Sequence, residues 1–242
     1  MKVLKSTVIE NKLVSNRVYK LSVNFESAIK PGQFFMLKTL DNSFLLPRPI
    51  SVNDVNGSIV SFLYRIEGMG TKKISSLRVK DELQLFGPLG NGFDMNKLKG
   101  KVAIIGGGIG VAPLQYLLKV LEKKADLYLG YRDSENMYNY SELKLYANKT
   151  VTVTEDGSFG QKGFVTDYVP YDLYEVVVAC GPEIMMKKVI EHCKKNKVKC
   201  YISLERRMAC GMGVCLGCSV ETKSGNKRAC KEGPVFCGEE LI

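Results

Sequence analysis

The sequence has one histidine, no long apolar run, no dense Lys/Arg tract and no low-complexity linker, and each absence excludes something. No stretch approaches the roughly 18 consecutive apolar residues of a membrane-spanning helix. The opening MKVLKSTVIENKLV lacks the continuous apolar core of about 7–15 residues that marks a secretory signal, so the cytoplasm is the expected compartment. The lone His192 falls in a segment of helical pattern with no partner signal and reads as structural or solvated, which suits chemistry that needs no protein acid–base dyad. The formal net charge is +10, but the basic residues are scattered, and Lys194-Lys195-Asn196-Lys197 reads as a solvated helix end. That charge bears on solubility and on steering toward an acidic protein partner rather than on nucleic-acid or membrane binding.

What remains is an ordinary soluble composition, 45% hydrophobic and 25% charged, in 242 residues, enough for one large domain or two small ones. Residues 1–97 show short β-rich runs: Val3 to Ile9, Val18 to Val23, Gln33 to Leu37, Ser58 to Tyr64 and Glu82 to Phe86. Turn signals at 30–32, 54–57 and 87–92 separate them, the pattern of a small antiparallel β-barrel. From residue 98 to 203 the pattern alternates. Strands are expected at 102–105, 127–129, 151–153, 175–179 and 199–203, with helices over 112–124 and 182–195. Alternation of this kind predicts an α/β domain with a parallel sheet. Residues 204–242 are irregular and rich in Gly and Cys, and a loop segment of that length needs a reason to hold its shape.

Four of the eight cysteines supply one. Cys210, Cys215, Cys218 and Cys230 follow the spacing C-x4-C-x2-C-x11-C, whose first three positions match the plant-type [2Fe–2S] pattern. Glycines between them let the backbone wrap a small inorganic core. Structural zinc favours two separate short Cys pairs, and disulfides are disfavoured in a reducing compartment. Cys180, Cys193, Cys200 and Cys237 have no ligand spacing and read as small buried hydrophobes.

Two glycine-bearing turns close strands of the α/β region. Gly106-Gly107-Gly108-Ile109-Gly110 leads into a helix, where free amides attract anions, although a tight strand–helix connection would use the same glycines. The strict G-x-G-x-x-G fingerprint is absent. Cys180-Gly181-Pro182 ends a second strand, and ligands of open α/β sheets sit beyond such ends. Gly107, Gly108, Gly110, Cys180, Gly181 and Pro182 are therefore candidate NAD contacts. Arg132 and Asp133 follow a third strand and leave NAD against NADP open, since one suits a 2′-phosphate and the other a 2′-hydroxyl. In the barrel, Arg48 and Arg65 offer planar donors to a pyrophosphate. Gly70 and Thr71 precede an expected short helix, and Ser51 offers a hydroxyl to a flavin ring nitrogen. An arginine on a strand is more often simply solvated.

Together these residues resemble the ferredoxin–NADP reductase superfamily, in which an FAD barrel precedes an NAD(P) domain. Ile50 stands where that superfamily's R-x-[Y/F]-S motif carries an aromatic ring. The chain is similar over essentially its whole length to the family of electron-transfer subunits of type B dihydroorotate dehydrogenase. The resemblance is carried by Arg48-Pro49-Ile50-Ser51, the 106–110 turn, Asp156-Gly157-Ser158, 162–166, and the run from Glu205 through the cysteine cluster to Phe236. It implies that Arg48, Pro49, Ile50, Ser51, Leu63, Tyr64, Arg65, Gly70 and Thr71 touch FAD, and that Cys210, Cys215, Cys218 and Cys230 hold the cluster. It also implies a separate FMN-containing catalytic subunit, two copies of each in a heterotetramer. Electrons from dihydroorotate would then run from FMN through [2Fe–2S] and FAD to NAD in pyrimidine biosynthesis. The alternatives are a flavin/iron–sulfur NAD(P)H reductase subunit of another redox complex (sulfite reductase or hydrogenase), a stand-alone NADH:acceptor reductase, and a zinc-binding module.

Overall fold

The computed structural model describes residues 2–41, 44–122 and 124–242. Met1, Asn42 and Ser43 of the expected first domain, and Lys123 of the expected helix over 112–124, lie outside the described residues.

Among the described residues, β1 (Lys2–Ser15), β2 (Val18–Asn24), β3 (Phe34–Thr39), β4 (Arg48–Asn56), β5 (Ile59–Arg65) and β6 (Glu82–Leu89) close an antiparallel barrel in the order β1-β2-β5-β4-β3-β6. Its interior is set by alternation: from Leu83 to Leu89 every second residue of β6 is buried. Phe25, Phe35 and Phe62 meet edge to face inside, with ring centroids 4.9 and 5.6 Å apart. The helix α1 (Met69–Ser75) already contains Gly70 and Thr71, which were expected to precede it. The Thr71 hydroxyl accepts from the amides of Glu67 and Gly68, so the side chain acts as the helix's own cap.

The second half begins at β7 (Val102–Gly107), buried at every position, as a parallel strand covered on both faces must be. A short 3-10 turn, Gly108–Val111, leads into α2 (Leu114–Leu121). Then follow β8 (Ala125–Tyr131), α3 (Tyr140–Tyr146), β9 (Thr150–Thr154), β10 (Gln161–Lys162), β11 (Val176–Cys180), α4 (Glu183–Asn196) and β12 (Lys199–Ser203). Helix α4 turns Met186, Val189 and Cys193 toward the sheet, the spacing of one helical face. The helix ends within the basic run 194–197, as expected, and Lys197 caps it in the left-handed conformation.

Residues 204–242 carry more regular structure than their sequence suggested. Strands β13 (Ser219–Val220) and β14 (Lys227–Arg228) pair, and β15 (Val235–Cys237) joins the main sheet antiparallel to β12. Among the described residues that sheet has seven strands, in the order β10-β9-β8-β7-β11-β12-β15. Phe236 of β15 is buried with Phe34, Met36 and Leu89 of the barrel and with Cys218 and Cys230. The cysteine segment is thus clamped between both halves. The halves also share a core, in which Val18, Leu63 and Phe93 pack with Ile104, Leu127 and Leu129. No helix of the described residues is long and apolar enough to cross a membrane.

Phe62 is fully buried and meets Phe35 edge to face inside the barrel. Phe62→Ala is expected to cost about 3–5 kcal/mol in urea unfolding; a loss below about 1 kcal/mol would show that the barrel core does not depend on it.

Candidate functional site

The carboxyl ends of β7 and β11 lie side by side, with Cys180 in register with Gly106. The two turns that leave them press together. A side chain at Gly110 would run into the Cys180 carbonyl, and one at Gly181 would come within 3.0 Å of Gly107 Cα. Only glycine allows this approach. The result is a cavity of about 310 Å³ whose floor is Gly107, Gly108, Gly110, Gly181 and Pro182. Arg65, at the end of barrel strand β5, forms one wall. The opposite wall is Leu204, Glu205 and Arg206, the start of the segment that runs to the cysteines. Glu205 and Arg206 were not singled out as site residues in the sequence; the available signal was their position just beyond β12.

The cavity is lined more by apolar than by polar surface, and its charges come from Arg65, Glu183, Glu205 and Arg206. Desolvation raises the Glu205 carboxyl above the usual range, while the Arg65 guanidinium pulls it back. The hydroxyl of Tyr138 is buried close to the Gly108 turn and, among the described residues, has no hydrogen-bond partner of normal geometry. Burial raises this phenol and Arg65 opposes the rise. A glycine cradle, an arginine wall and a buried phenol hydroxyl near the turn fit an anionic dinucleotide.

Of the NAD candidates, five line this cavity; Cys180 does not, since its thiol is buried in the core and its carbonyl packs against Gly110. The flavin candidates are less concentrated. Arg48 lies across Gly70, leaving no room for a side chain there, and donates to the Leu46 carbonyl at 2.6 Å. Pro49, Ile50 and Ser51 follow it along β4 and are half-buried. The Leu63 and Tyr64 side chains point into the cores instead. Tyr64 donates to Asn11 Oδ1 at 3.2 Å, so these two can meet a ligand only through their backbone. Asp133 is engaged locally: its carboxylate accepts from the Asn136 amide at 2.9 Å and caps the turn 134–136.

The cysteines fall into two pairs. Cys210 Sγ accepts from the amides of Met212 at 3.4 Å and Cys215 at 3.5 Å. Cys218 Sγ accepts from the Cys230 amide at 3.4 Å. Burial raises the Cys210 thiol, but the Cys215 and Met212 amides outweigh it and bring it to about 6. Burial and the neighbouring Cys218 push Cys230 up to about 12. Gly211 and Gly213, at φ +69° and +85°, bend the loop so that its amides face sulfur. Among the described residues no three Cys, His, Asp or Glu side chains form a single-ion site. Two thiol pairs with amide donors suit a two-iron core, in which each iron takes two thiolates. Arg228 braces the loop, donating to the Gly213 carbonyl at 3.1 Å and to Glu232 Oε2 at 2.9 Å; its guanidinium holds the Glu232 carboxyl down at about 2.

The remaining sulfurs stand apart. Cys193 and Cys200 are buried with Cys180, whereas Cys237 is only half-buried. His192 stacks on Tyr171, with rings 4.9 Å apart and 6° from parallel.

A flavin-type barrel joined to a nicotinamide-type sheet across such a cleft defines an oxidoreductase of the ferredoxin–NADP reductase class. Comparison with known proteins agrees and goes further. Residues 104–191 match the oxidoreductase NAD-binding domain, and residues 205–242 match the iron–sulfur cluster binding domain of dihydroorotate dehydrogenase B. The chain is 47% identical to the electron transfer subunit of dihydroorotate dehydrogenase B (NAD+) of Clostridium acetobutylicum, covering 97% of this chain and 95% of that one. It is 49% identical to the Clostridium perfringens counterpart, covering 100% and 98%. Among solved structures, an NADH-dependent reduced ferredoxin–NADP oxidoreductase superposes with a TM-score of 0.87 at 26% identity, over 98% of this chain and 89% of that one. A ferredoxin–NADP+ reductase from Neisseria gonorrhoeae, at 15% identity and a TM-score of 0.70 over 81% and 92%, shares the fold. The chain belongs to the family of electron-transfer subunits of NAD+-dependent dihydroorotate dehydrogenase B. Its cofactors are FAD, NAD and a [2Fe–2S] cluster.

Gly110→Ala forces the two turns apart, at an overpacking cost of about 1–3 kcal/mol. It is expected to weaken NADH binding about 10-fold or more in a fluorescence titration, with FAD content unchanged; unaltered affinity would remove the turn from the site. Arg228→Ala is expected to reduce cluster retention about 10-fold or more, as loss of an outer-shell brace does. Iron per chain reads this directly, and full iron occupancy would contradict it.

Proposed function

We propose that this subunit conducts electrons from dihydroorotate, oxidised on an FMN-containing partner, through the cluster and FAD to NAD+. Three working units carry it: residues 1–97 for FAD, 98–203 for NAD and 204–242 for the cluster. Arg48, Pro49, Ile50, Ser51, Leu63, Tyr64, Arg65, Gly70 and Thr71 hold FAD, several of them through backbone atoms. Gly107, Gly108, Gly110, Cys180, Gly181 and Pro182 hold NAD, and Cys210, Cys215, Cys218 and Cys230 hold the cluster. When bound, FAD supplies the one chemistry that the other two lack, exchanging electrons either singly or as a hydride.

The observation that carries this reading is the three-sided cleft, with the barrel's Arg65, the glycine turns, and Leu204 to Arg206 on the way to Cys210. The protein's work is positioning. Arg65 balances the charge of a diphosphate, the glycine floor lets it approach the backbone amides, and the short path from Arg206 to Cys210 keeps the cluster loop beside the barrel. That loop exposes Met212, Val214 and Leu216, the last two by 74% and 61%. Exposed apolar residues grouped around a redox centre suit a docking face for the catalytic subunit. We assign the assembly as two copies of each subunit, working in the cytoplasm without nucleic acid or membrane.

Co-expression with an FMN-type dihydroorotate dehydrogenase subunit tests the reading. One complex is expected to contain FMN, FAD and iron and to reduce NAD+ with dihydroorotate. FAD and iron in a chain that captures no FMN subunit and shows no such activity would overturn the pyrimidine assignment.

A further inference from the structure

Asn53 lies two residues past Ser51 on β4, and it breaks the ladder. Val52 pairs with Phe62 but Asp54 pairs with Ser61, so Asn53 is a β-bulge. A bulge re-aims its side chain. Here the amide leaves the barrel and is fully buried against the α/β half. Its Nδ2 donates to the carbonyl of Ala112 at 2.9 Å, the residue that ends the Gly108–Val111 turn. Around it sit two more amides. Gln115 of α2 is 2% exposed, and its Oε1 accepts from Asn139 Nδ2 at 2.8 Å. Asn139 Nδ2 also approaches Asn53 Oδ1 at 3.4 Å. Gln115 Nε2 donates to Glu142 Oε2 at 3.1 Å, and Glu142 pairs with Lys20 of barrel strand β2 at 3.6 Å. Asn139 holds a left-handed backbone, φ +56°, directly after Tyr138, whose hydroxyl lies near Gly108.

Elsewhere the interface combines an apolar core with more exposed polar contacts, where Lys119 of α2 donates to Asp54 Oδ1 at 3.0 Å and to the Val55 carbonyl at 2.9 Å, and the Tyr116 hydroxyl donates to the Ile29 carbonyl at 3.2 Å. Val18 and Leu63 of the barrel share a core with Ile104 and Leu117 of the other half. Apolar burial is non-directional and leaves small sliding motions inexpensive, whereas hydrogen bonds fix direction and distance. The hydrogen bonds of buried Asn53 and Gln115 therefore add geometry where bulk burial already supplies stability.

We propose that Asn53, with Gln115 and Asn139, is a positioning residue for hydride transfer, tying the strand of Ser51 to the turn of Gly108 so that the nicotinamide meets the flavin at a fixed distance. The inference rests on the reading of the cleft as the FAD–NAD site. Displacement of about 1 Å can cost about 10²-fold in rate.

The test uses the assembled complex carrying Asn53→Leu or, from the other side of the cluster, Asn139→Gly, which keeps the left-handed backbone and removes only the amide. FAD and iron content are expected to stay at wild-type levels. The limiting rate of flavin reduction by NADH should fall about 10-fold or more. The long-wavelength charge-transfer absorbance between reduced flavin and NAD+ should weaken with it. A purely structural role would lower the melting temperature and leave that band intact. If Asn53→Leu loses its flavin, Asn139→Gly decides. Wild-type rate and wild-type absorbance in Asn139→Gly would overturn the proposal, whatever happens to stability. A wild-type flavin that NADH fails to reduce would overturn the underlying reading of the cleft, and this inference with it.

Discussion

A nicotinamide exchanges two electrons as a hydride and an iron–sulfur cluster exchanges one, so a chain that links them must hold a flavin within reach of both. Much of this structure follows from that requirement. The barrel must stand against the carboxyl end of a parallel sheet, and the cysteine loop must return to the barrel. The contact that makes the first possible is the packing of two glycine turns, Gly107 to Gly110 against Cys180 and Gly181, which leaves a floor made largely of glycine backbone. The contact that makes the second possible is β15, which adds to β12 and buries Phe236 among Phe34, Met36 and Leu89 of the barrel.

The two cofactor regions are built by different physics. The nicotinamide side depends on bare backbone, and close approach there replaces specific side chains. The cluster side depends on conformation, since Gly211 and Gly213 at positive φ direct amides at the Cys210 sulfur while Arg228 fastens the loop through Gly213. The amide group at Asn53, Gln115 and Asn139 lies at the join between barrel and sheet, where geometry matters more than burial.

The sheet and the cysteine spacing were legible because their signals are local. Val102 to Ile105 is a continuous apolar run, α4 has a clear face, and C-x4-C-x2-C is a dense motif. Strand β4 was harder to read as a strand because Pro47 and Pro49 flank Arg48, and proline normally argues against a ladder; the strand tolerates Pro49 opposite Met36 of β3. Strand β15 is three residues long and gains its order from β12, not from its own pattern. Leu63 and Tyr64 were expected at FAD from the family resemblance alone; their burial turns both side chains inward and leaves their backbone atoms for a ligand. Tyr138 and the amide group carry no local signal, since each acquires meaning from neighbours distant in sequence, and Glu205 and Arg206 were marked only by their place beyond β12. The chemistry of the site was therefore readable as a set of parts, while the arrangement of those parts required tertiary contacts.

The order of carriers is the central claim, and a cluster-free variant tests it most directly. Anaerobic NADH added to Cys215→Ser that retains FAD should bleach the flavin as fast as in the wild type, because the nicotinamide reaches the flavin without the cluster. If the bound flavin stays oxidised until a cluster is present, the cluster lies between nicotinamide and flavin and the account is wrong.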